Sequence, residues 1–443
     1  MLIEFQTANY RSFKNILTFS MKPAPKQKGL DYSILSEKIG GSTHKALSSA
    51  VIYGPNASGK TNIIGAMDTL RSIVLRGNIS NAEPITTPNV ASHLLEMIPF
   101  NGLAEAKPVE FGIKFTDSNL YIEYNLSLDI GMFLEENHAR KIITEQLIIN
   151  GKDVYSRNNN GLICDFSAIR KYLNNGTDKN INSIGTIAEN SLTSDELFLT
   201  NGFKSIISKK LASIITDWFA NKFMIIYQAN SVQLTRRFVN PKEDTIYVVK
   251  TLNEAAEVFG INSNALGFKS SKSGDDTILY SIFEQNDKST AIPAEAFESY
   301  GTLRFINEFP LIIRALLTGS TLVIDEFDAS IHPMALMNII NIFHNDDINK
   351  NRAQLIFNTH NPIFLNANLY RRDEIKFVER DDISHESSHY SLSDFKTSGS
   401  AGVRKGEDYM KNYFISQYGA IKDVDFSSII ESLISTEGAS VDE

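Results

Sequence analysis

The sequence predicts an α/β fold of two lobes, with an antiparallel β subdomain and an inserted helical region. An apolar strand at 45–54 runs through a glycine-rich loop into a segment with helical periodicity at 61–77. Several strand candidates follow closely between 107 and 165, and two of them alternate apolar and polar side chains. A third segment, 194–227, carries apolar residues at helical spacing. We therefore divide the chain into an N-terminal lobe (1–165), a helical insertion (166–262) and a C-terminal lobe (263–443).

The composition limits the classes of protein that fit the chain. Of 443 residues, 42% are hydrophobic and 21% are charged, which is typical of globular proteins. The net charge of -9 argues against a general polyanion binder. A local basic patch is still compatible with that net charge. Cys164 is the only cysteine, which excludes an intrachain disulfide and a cysteine-based zinc site. No apolar run approaches the ~20 residues that span a bilayer, so we expect a cytoplasmic protein without a membrane partner.

The strongest motif is GPNASGKT, which fits the pattern G-x-x-x-x-G-K-[ST] of a phosphate-binding loop. Its context is appropriate, because an apolar strand precedes it and a helix-periodic segment follows. The glycines let backbone N–H groups surround phosphates, and the helix N-terminus adds partial positive charge. We expect Lys60 to contact the β and γ phosphates and Thr61 to ligate Mg²⁺. A chance glycine-rich turn is the alternative. The predicted nucleotide-binding residues here are Gly54, Pro55, Asn56, Ala57, Ser58, Gly59, Lys60, Thr61 and Asn62.

A second motif, STLVIDEFDASIHP, places two acidic residues after a buried-strand run. Asp325 is positioned to hold a metal ion, since an acidic residue ending a parallel strand beside a phosphate-binding loop holds Mg²⁺. Glu326 is then predicted to act as the base that activates water. The alternative is a strand that ends in a solvated acidic turn, which is a common arrangement. The presence of the glycine-rich loop favours the metal-binding interpretation.

The third motif is QLIFNTHNPIFL, in which a short apolar strand runs into His360. A histidine at the carboxyl end of a parallel strand lies on the edge where ligands bind in α/β sheets. We predict that His360 contacts the γ-phosphate, with a purely structural histidine as the alternative.

The order of the motifs is similar to that of a known family. Lys60 and Asp325 lie 265 residues apart, which argues against a compact small GTPase and for a nucleotide-binding domain with a large insertion. The order GPNASGKT, ESYGTLRF, LVIDEFDASIHP and FNTHNP resembles an ABC-type P-loop ATPase head of the RecF, SMC and OLD kind. The resemblance implies a two-lobed ABC-type fold, ATP and Mg²⁺ as cofactors, and hydrolysis that uses Lys60, Glu326 and His360.

The resemblance also assigns residues outside the three motifs. Ser299 and Gly301 of ESYGTLRF match the signature that binds a partner's nucleotide, although Glu298 and Thr302 depart from the usual Leu-Ser-x-Gly-Gln. The segment 328–332 resembles the D-loop, and no residue matches the Q-loop glutamine. Three residues of the N-terminal turn resemble those beside the nucleotide in such heads: Arg11, Ser12 and Phe13.

The implied partner is a second copy of the chain, in an ATP-sandwich homodimer or a higher oligomer. The ESYGT variant resembles stand-alone prokaryotic ATPases of anti-phage defence, a group that includes the ATPase of the PARIS system. That likeness implies a separate effector, such as a toxin or nuclease, and a phage protein or DNA as the trigger. A RecF-like DNA repair ATPase and a nucleotide-gated scaffold without functional turnover are the alternatives.

The segment HESSH, 385–389, matches the zinc-protease pattern H-E-x-x-H. That chemistry requires both histidines on one face of a helix. The surrounding residues instead predict a strand, a polar turn and a second strand, so we do not assign a zinc site to this segment.

Overall fold

The computed structural model of the 443-residue chain describes most of the sequence. Residues outside the description are 26, 28, 81–96, 136–137, 175–186, 188–191, 228–244, 262, 271–276, 287, 397–402, 404–405, 423, 428–430 and 432–443. Part of the predicted helical insertion therefore lies outside the described residues, as does its boundary at 262.

The strands of the described residues, in chain order, are β1 (Leu2–Ala8), β2 (Leu17–Ser20), β3 (Ile34–Ile39), β4 (Ser42–Leu47), β5 (Ser49–Tyr53), β6 (Val109–Asp117), β7 (Leu120–Asp129), β8 (Lys141–Ile149), β9 (Lys152–Asn158), β10 (Gly161–Cys164), β11 (Phe223–Ile226), β12 (Ile246–Val248), β13 (Ala265–Ser270), β14 (Thr277–Gln285), β15 (Lys288–Pro293), β16 (Thr321–Ile324), β17 (Gln354–Asn358), β18 (Ile375–Arg380) and β19 (Ser387–Ser391).

The α-helices of the described residues are α1 (Lys60–Arg76), α2 (Lys209–Asp217), α3 (Lys250–Phe259), α4 (Ala294–Phe297), α5 (Tyr300–Thr318), α6 (Pro333–His344) and α7 (Tyr409–Phe414). Two π-helical segments, Leu199–Ile207 and Trp218–Lys222, flank α2. None of the helices in this part of the chain combines the length and the apolar character needed to cross a membrane.

The sheet that positions the site has six strands in the order β11–β16–β17–β5–β18–β19. Its first five strands are parallel, and β19 pairs antiparallel with β18. Strands β5, β16 and β17 are buried along their whole length, which explains their continuous apolar character. Because these strands are parallel, the segments that follow β5, β11, β16, β17 and β18 all meet at one edge of the sheet.

A second sheet is entirely antiparallel, in the order β10–β9–β8–β7–β6–β1–β2. It contains the antiparallel strands predicted between 107 and 165, where β7 alternates buried and half-buried residues. One hydrophobic cluster joins its inner face to α1, through side chains that include Phe5, Ile113, Tyr124, Ile63 and Leu70. The predicted α/β class with an antiparallel subdomain is confirmed. Because α1 packs against this sheet, the loop that precedes the helix is held by both sheets.

Two local predictions are wrong. The helix predicted over 194–227 ends before Phe223, and Phe223–Ile226 forms β11 at the edge of the parallel sheet. Four consecutive apolar residues fit a buried strand as well as a helix, and pairing with β16 decides between them. The apolar runs at 303–309 and 311–319 predict two helices with Pro310 in the first turn of the second, but Pro310 lies inside the single helix α5. Buried side chains on both sides of it, Phe305 and Ile312 among them, hold α5 together across the missing N–H.

A small antiparallel sheet, β12–β13–β14–β15, packs against α3 and α5. Its core contains Leu252, Ala256, Leu266 and Phe268, together with Ile306 from α5. The small sheet is therefore joined to the helix that carries the predicted signature.

Candidate nucleotide-binding site

The glycine-rich loop lies between β5 and α1, and its close contacts require glycine at two positions. A Cβ on Gly54 would lie 2.3 Å from the carbonyl oxygen of Val378. Gly59 has φ +110°, and a Cβ there would lie 2.8 Å from the hydroxyls of Ser12 and Ser387. Ser387 also donates from its hydroxyl to the carbonyl of Ser58 at 2.6 Å, which fixes the loop to β19. The loop therefore has a single tight path from strand to helix.

Lys60, the first residue of α1, folds back over this loop. Its Nζ donates to the carbonyl oxygens of Gly54 at 2.7 Å and Pro55 at 2.9 Å. Burial lowers the pKa of Lys60 to about 8, while nearby carboxylates, Asp325 first, oppose that shift. An ammonium held over the loop in this way can bind an anion that the backbone N–H groups surround.

Thr61 and Asp325 meet although they lie far apart in the sequence. The hydroxyl of Thr61 donates to Oδ1 of Asp325 at 3.1 Å, and the amide of Asn358 donates to the same oxygen. Thr61 lies in the segment after β5 and Asp325 in the segment after β16, with β17 between those two strands. The fold thus brings the two predicted Mg²⁺ ligands together. Among the described residues, no group of three or more His, Cys, Asp or Glu side chains could hold a metal alone. A hydroxyl and one carboxylate fit Mg²⁺, which keeps waters and substrate phosphates as its other ligands.

Glu326 follows Asp325 with φ +52°, in the left-handed region that non-glycine residues rarely occupy. Its backbone N–H donates to the side-chain oxygen of Asn358, and its carbonyl accepts from Arg304 of α5. The Arg304 guanidinium also reaches the carbonyl of Asp325 at 3.4 Å. These contacts hold an uncommon backbone conformation beside the site, where strain often accompanies function.

His360 lies exposed at the carboxyl end of β17, on the same edge as the loop and Asp325. Partial desolvation and the Lys60 ammonium lower its pKa, against the opposing effect of Asp328. The preceding Thr359 donates from its hydroxyl to Asp328 at 2.6 Å. An imidazole N–H at this edge can donate a hydrogen bond to an anion held in the loop.

The N-terminal turn lies directly against the start of α1. The hydroxyl of Ser12 accepts from the amide of Asn62 at 2.7 Å. The Arg11 guanidinium donates to Asn62 at 3.3 Å and to the Tyr227 hydroxyl at 3.0 Å. Phe13 approaches the position that a Cβ on Gly59 would take, at 3.4 Å. All three predicted residues of this turn therefore lie beside the loop.

Ser299 caps α5, and its hydroxyl accepts from the backbone N–H of Thr302 at 3.1 Å. Gly301 packs against the segment 328–332 of the same chain, since a Cβ there would lie 2.2 Å from the carbonyl oxygen of Ser330. Glu298 accepts from the hydroxyls of Ser263 and Ser281, at 3.0 and 2.7 Å. The predicted signature therefore lies at the start of α5. There Gly301 contacts the loop that follows Asp325, and Glu298 contacts the small sheet.

Two residues that support the site were missed from the sequence. Asn358 bridges Asp325 and Glu326, and Arg304 holds the carbonyl groups of both. A sequence signal existed for Asn358, because a polar residue ends an otherwise apolar strand one position before Thr359. Arg304 carried no such signal, since a single arginine in a helix is usually exposed.

The HESSH segment forms the predicted strand–turn–strand. Strands β18 and β19 pair antiparallel, and His385 lies in the connecting turn with φ +55°. His389 lies within β19, so the two histidines do not share a helix face.

Comparison with known proteins assigns the chain to a family. Residues 49–366 match the family model described as "AAA domain, putative AbiEii toxin, Type IV TA system". The chain belongs to this family. The matched region begins at the first residue of β5 and extends past His360, so it contains the glycine-rich loop, α5 and the acidic strand end. The prediction of a P-loop ATPase is confirmed at the level of this AAA-domain family.

The chain is also similar in structure to the SMC head domain from Thermotoga maritima. The TM-score is 0.35 and the sequence identity is 12%, and the match covers 88% of this chain and 98% of that chain. No curated protein matches this AAA-domain chain at a significant level.

Proposed function

We propose that the chain is a Mg²⁺-dependent ATP hydrolase that works as a sensor or scaffold in anti-phage defence. The observation that carries the proposal is the linked set Thr61, Asp325, Asn358 and Glu326 at the carboxyl edge of the parallel sheet. It joins the end of the phosphate-binding loop at Thr61 to two acidic residues that follow β16, the first of them 264 residues further along the chain.

Each residue has a defined task in the proposed reaction. Lys60 and the backbone of the glycine-rich loop hold the phosphates, while Glu326 takes a proton from the attacking water. His360 hydrogen-bonds the γ-phosphate from the end of β17. Phosphoryl transfer depends mainly on positioning and charge stabilisation, which agrees with the many contacts that hold the backbone at Asp325 and Glu326.

Thr61 and Asp325 are the residues that would hold Mg²⁺. Their 3.1 Å contact and the hard oxygen donors on both side chains suit that ion. When bound, Mg²⁺ neutralises charge that develops on the phosphate oxygens.

The proposed assembly is a homodimer with ATP between two subunits, or a higher oligomer built from it. Ser299 caps the 19-residue helix α5, whose N-terminus can bind an anion through its backbone N–H groups and partial positive charge. The Ser299 hydroxyl at that terminus is already positioned as a cap. In the dimer, Ser299 and Gly301 of each copy contact the ATP held by the loop of the other.

The proposed biological role is control of a separate toxic effector, with a phage protein or DNA as the trigger. The description of the matched family, which mentions an AbiEii toxin and a type IV toxin–antitoxin system, supports a defence role. The ESYGT variant of the signature supports the same role through its likeness to anti-phage ATPases. ATP-dependent assembly would hold or release the effector according to the nucleotide state.

The experiment is ATP turnover and ATP binding by Glu326→Gln, with Glu257→Gln on the exposed face of α3 as the matched control. Loss of the base should lower turnover about 10²- to 10⁴-fold and leave ATP binding intact. Unchanged turnover in Glu326→Gln would remove Glu326 from the mechanism.

Plaque counts test the defence role. They are compared between cells that carry the wild-type chain with its neighbouring genes and cells that carry Lys60→Ala with the same genes. Equal phage resistance in both strains would reject that role.

A further inference from the structure

A cleft of about 340 Å³ lies at the end of α6, on the edge of the parallel sheet opposite to the proposed ATP site. The helix begins at Pro333, directly after the segment 328–332, and its 12 residues extend about 18 Å to His344. His344 contacts Ser49, the first residue of β5, whereas the glycine-rich loop follows the last residue of that strand. Six residues form the walls of the cleft: Tyr32, Asn341, His344, Asn345, Asp346 and Asp347. None of them belongs to the proposed ATP site.

One nitrogen of the His344 ring is fixed by two buried partners. Only 2% of His344 is exposed. Its Nε2 lies 2.8 Å from the hydroxyl oxygen of Ser49 and 3.0 Å from Oε1 of Glu374. Ser49 donates its own hydrogen to the same Glu374 oxygen at 2.8 Å. Because that hydrogen is used and a carboxylate only accepts, Nε2 carries the hydrogen of the neutral imidazole ring.

The other ring nitrogen, Nδ1, is buried, and no group of the described residues forms a hydrogen bond with it. In this tautomer Nδ1 has a lone pair and can only accept. Ser49 and Glu374, which bond Nε2, do not line the cleft, whereas His344 does. The Nδ1 side of the ring is therefore the side toward the cleft. Buried polar groups are normally satisfied, so Nδ1 requires a donor that enters from there.

The other walls favour a donor with a positive charge. Asp346 and Asp347 are exposed, and neither lysine nor arginine is among the six wall residues. The C-terminal end of α6 adds the partial negative charge of its carbonyl groups. Tyr32, in the short 3-10 helix Asp31–Ser33, is 44% exposed, and its ring centroid lies 6.0 Å from that of His344. An aromatic face of this kind attracts a cation.

The same walls distinguish between kinds of cation. Within the described part of the chain, no group of three or more His, Cys, Asp or Glu side chains could hold a metal ion. A guanidinium group has five N–H donors in one plane and stacks on aromatic rings. It can therefore donate to Nδ1 of His344 and to a carboxylate while it lies against Tyr32. An ammonium group is a compact point charge and cannot make these contacts together.

The open form of the cleft indicates where the guanidinium group comes from. His344 is buried, and the other five wall residues are exposed. Sites for free small molecules are mostly apolar and bury about 70–90% of the ligand, which an open polar cleft does not. A side chain that projects from another protein surface needs only its tip enclosed. We infer that this cleft binds the guanidinium group of an arginine side chain on a partner protein. The inference does not depend on the proposed function, because the cleft and the ATP site share no residue.

The test measures binding of a capped Gly-Arg-Gly peptide to the full chain by calorimetry at constant salt. The same peptide with citrulline is the neutral control, since citrulline has the shape of arginine without its charge. The wild-type chain should bind the arginine peptide about 10-fold more tightly than the citrulline peptide. A Gly-Lys-Gly peptide should also bind more weakly, because its ammonium cannot contact several walls at once.

Variants locate the bound peptide. The double variant Asp346→Asn, Asp347→Asn should weaken binding of the arginine peptide about 10-fold. Tyr32→Ala should weaken it about 3-fold, and Tyr32→Phe, which keeps the ring, should bind as wild type does. The matched control is Glu254→Gln, Glu257→Gln on the exposed face of α3, which removes the same number of charges from another surface. That control should bind the peptide as wild type does.

Three results would overturn the inference. The first is equal affinity of the wild-type chain for the arginine and citrulline peptides, or no binding of either. The second is wild-type affinity in the Asp346→Asn, Asp347→Asn variant. The third is an equal loss of affinity in the α3 control, which would mean that the peptide responds to net charge alone. All the substituted residues are exposed, so circular dichroism should show the variants folded as wild type is.

Discussion

A Cβ placed on Gly301 would lie 2.2 Å from the backbone carbonyl oxygen of Ser330. Gly301 belongs to the first turn of α5, and Ser330 lies in the loop that follows Glu326. The two backbones are therefore in direct contact within one chain. Gly301 has a structural requirement for glycine that is separate from its proposed role at a partner's nucleotide.

This contact predicts that Gly301→Ala destabilises the chain without nucleotide. The added methyl group must displace the backbone of Ser330, and overpacking of this kind costs about 1–3 kcal/mol. Urea unfolding measures the change in free energy. The control is Leu317→Ala on the same helix, which is 71% exposed and should change stability little. Equal stability of Gly301→Ala and wild type would show that the two backbones can separate at no cost.

The buried pair Arg304 and Glu308 offers a second prediction. Their side chains are 4% and 3% exposed, and Nε of Arg304 donates to Oε1 of Glu308 at 2.9 Å. Burial raises the pKa of Glu308 to about 7, although Arg304 opposes the rise. Arg304→Ala leaves the Glu308 carboxyl buried without its partner, so we expect a loss of about 3–5 kcal/mol in the free energy of unfolding.

The double variant Arg304→Met, Glu308→Leu separates stability from positioning. An apolar pair of similar volume should restore most of the lost stability. ATP turnover should stay low, because the carbonyl groups of Asp325 and Glu326 still lack the Arg304 donor. Chemical unfolding and turnover are measured on the same samples. Full turnover in the stable double variant would mean that Arg304 supports the fold and does not position Glu326.

The pKa of Lys60 predicts how ATP affinity depends on pH. Burial lowers that pKa to about 8 in the free chain, and a bound triphosphate favours the ammonium form and raises it again. Affinity should be constant below about pH 8 and should fall by up to about tenfold per pH unit above it. Proton uptake on binding, measured by calorimetry near pH 8 in buffers of different ionisation enthalpy, checks the sign.

Lys376 provides the control for that experiment. Burial lowers its pKa to about 8 as well, but it lies in β18 and does not bond the loop carbonyls. Lys376→Met should retain the pH dependence of ATP binding. Constant affinity from about pH 7 to about pH 9 in the wild-type chain, without proton uptake, would contradict the role given to Lys60.

The sequence predicted best those parts whose chemistry requires particular residues at short spacing. The loop from Gly54 to Thr61 needs glycines and a lysine at set positions, and it lies between a strand and a helix as expected. The position of Asp325 could be predicted because a polar residue that ends a buried parallel strand must lie at the edge of the sheet. Thr61 lies at the same edge of the sheet, which explains its contact with Asp325.

Features that depend on tertiary packing could not be predicted. Nothing within Phe223–Ile226 distinguishes a strand from a helix, and only β16 beside it makes the segment a strand. Pro310 suggested a helix boundary, but packing on both sides of it preserves one continuous helix. The role of Arg304 depends on contacts with residues more than twenty positions away, which its own neighbours in the sequence do not indicate.

The central claim is that one subunit's Ser299 completes the ATP site of the other, and a mixing experiment tests it most directly. Lys60→Ala lacks a working loop but keeps Ser299, and Ser299→Arg has the opposite defect. Each variant alone should be inactive, and an equimolar mixture should regain about a quarter of wild-type ATP turnover, because half the dimers are mixed and hold one intact site. A mixture of folded variants that stays inactive, beside an active wild type, would contradict a site shared between subunits.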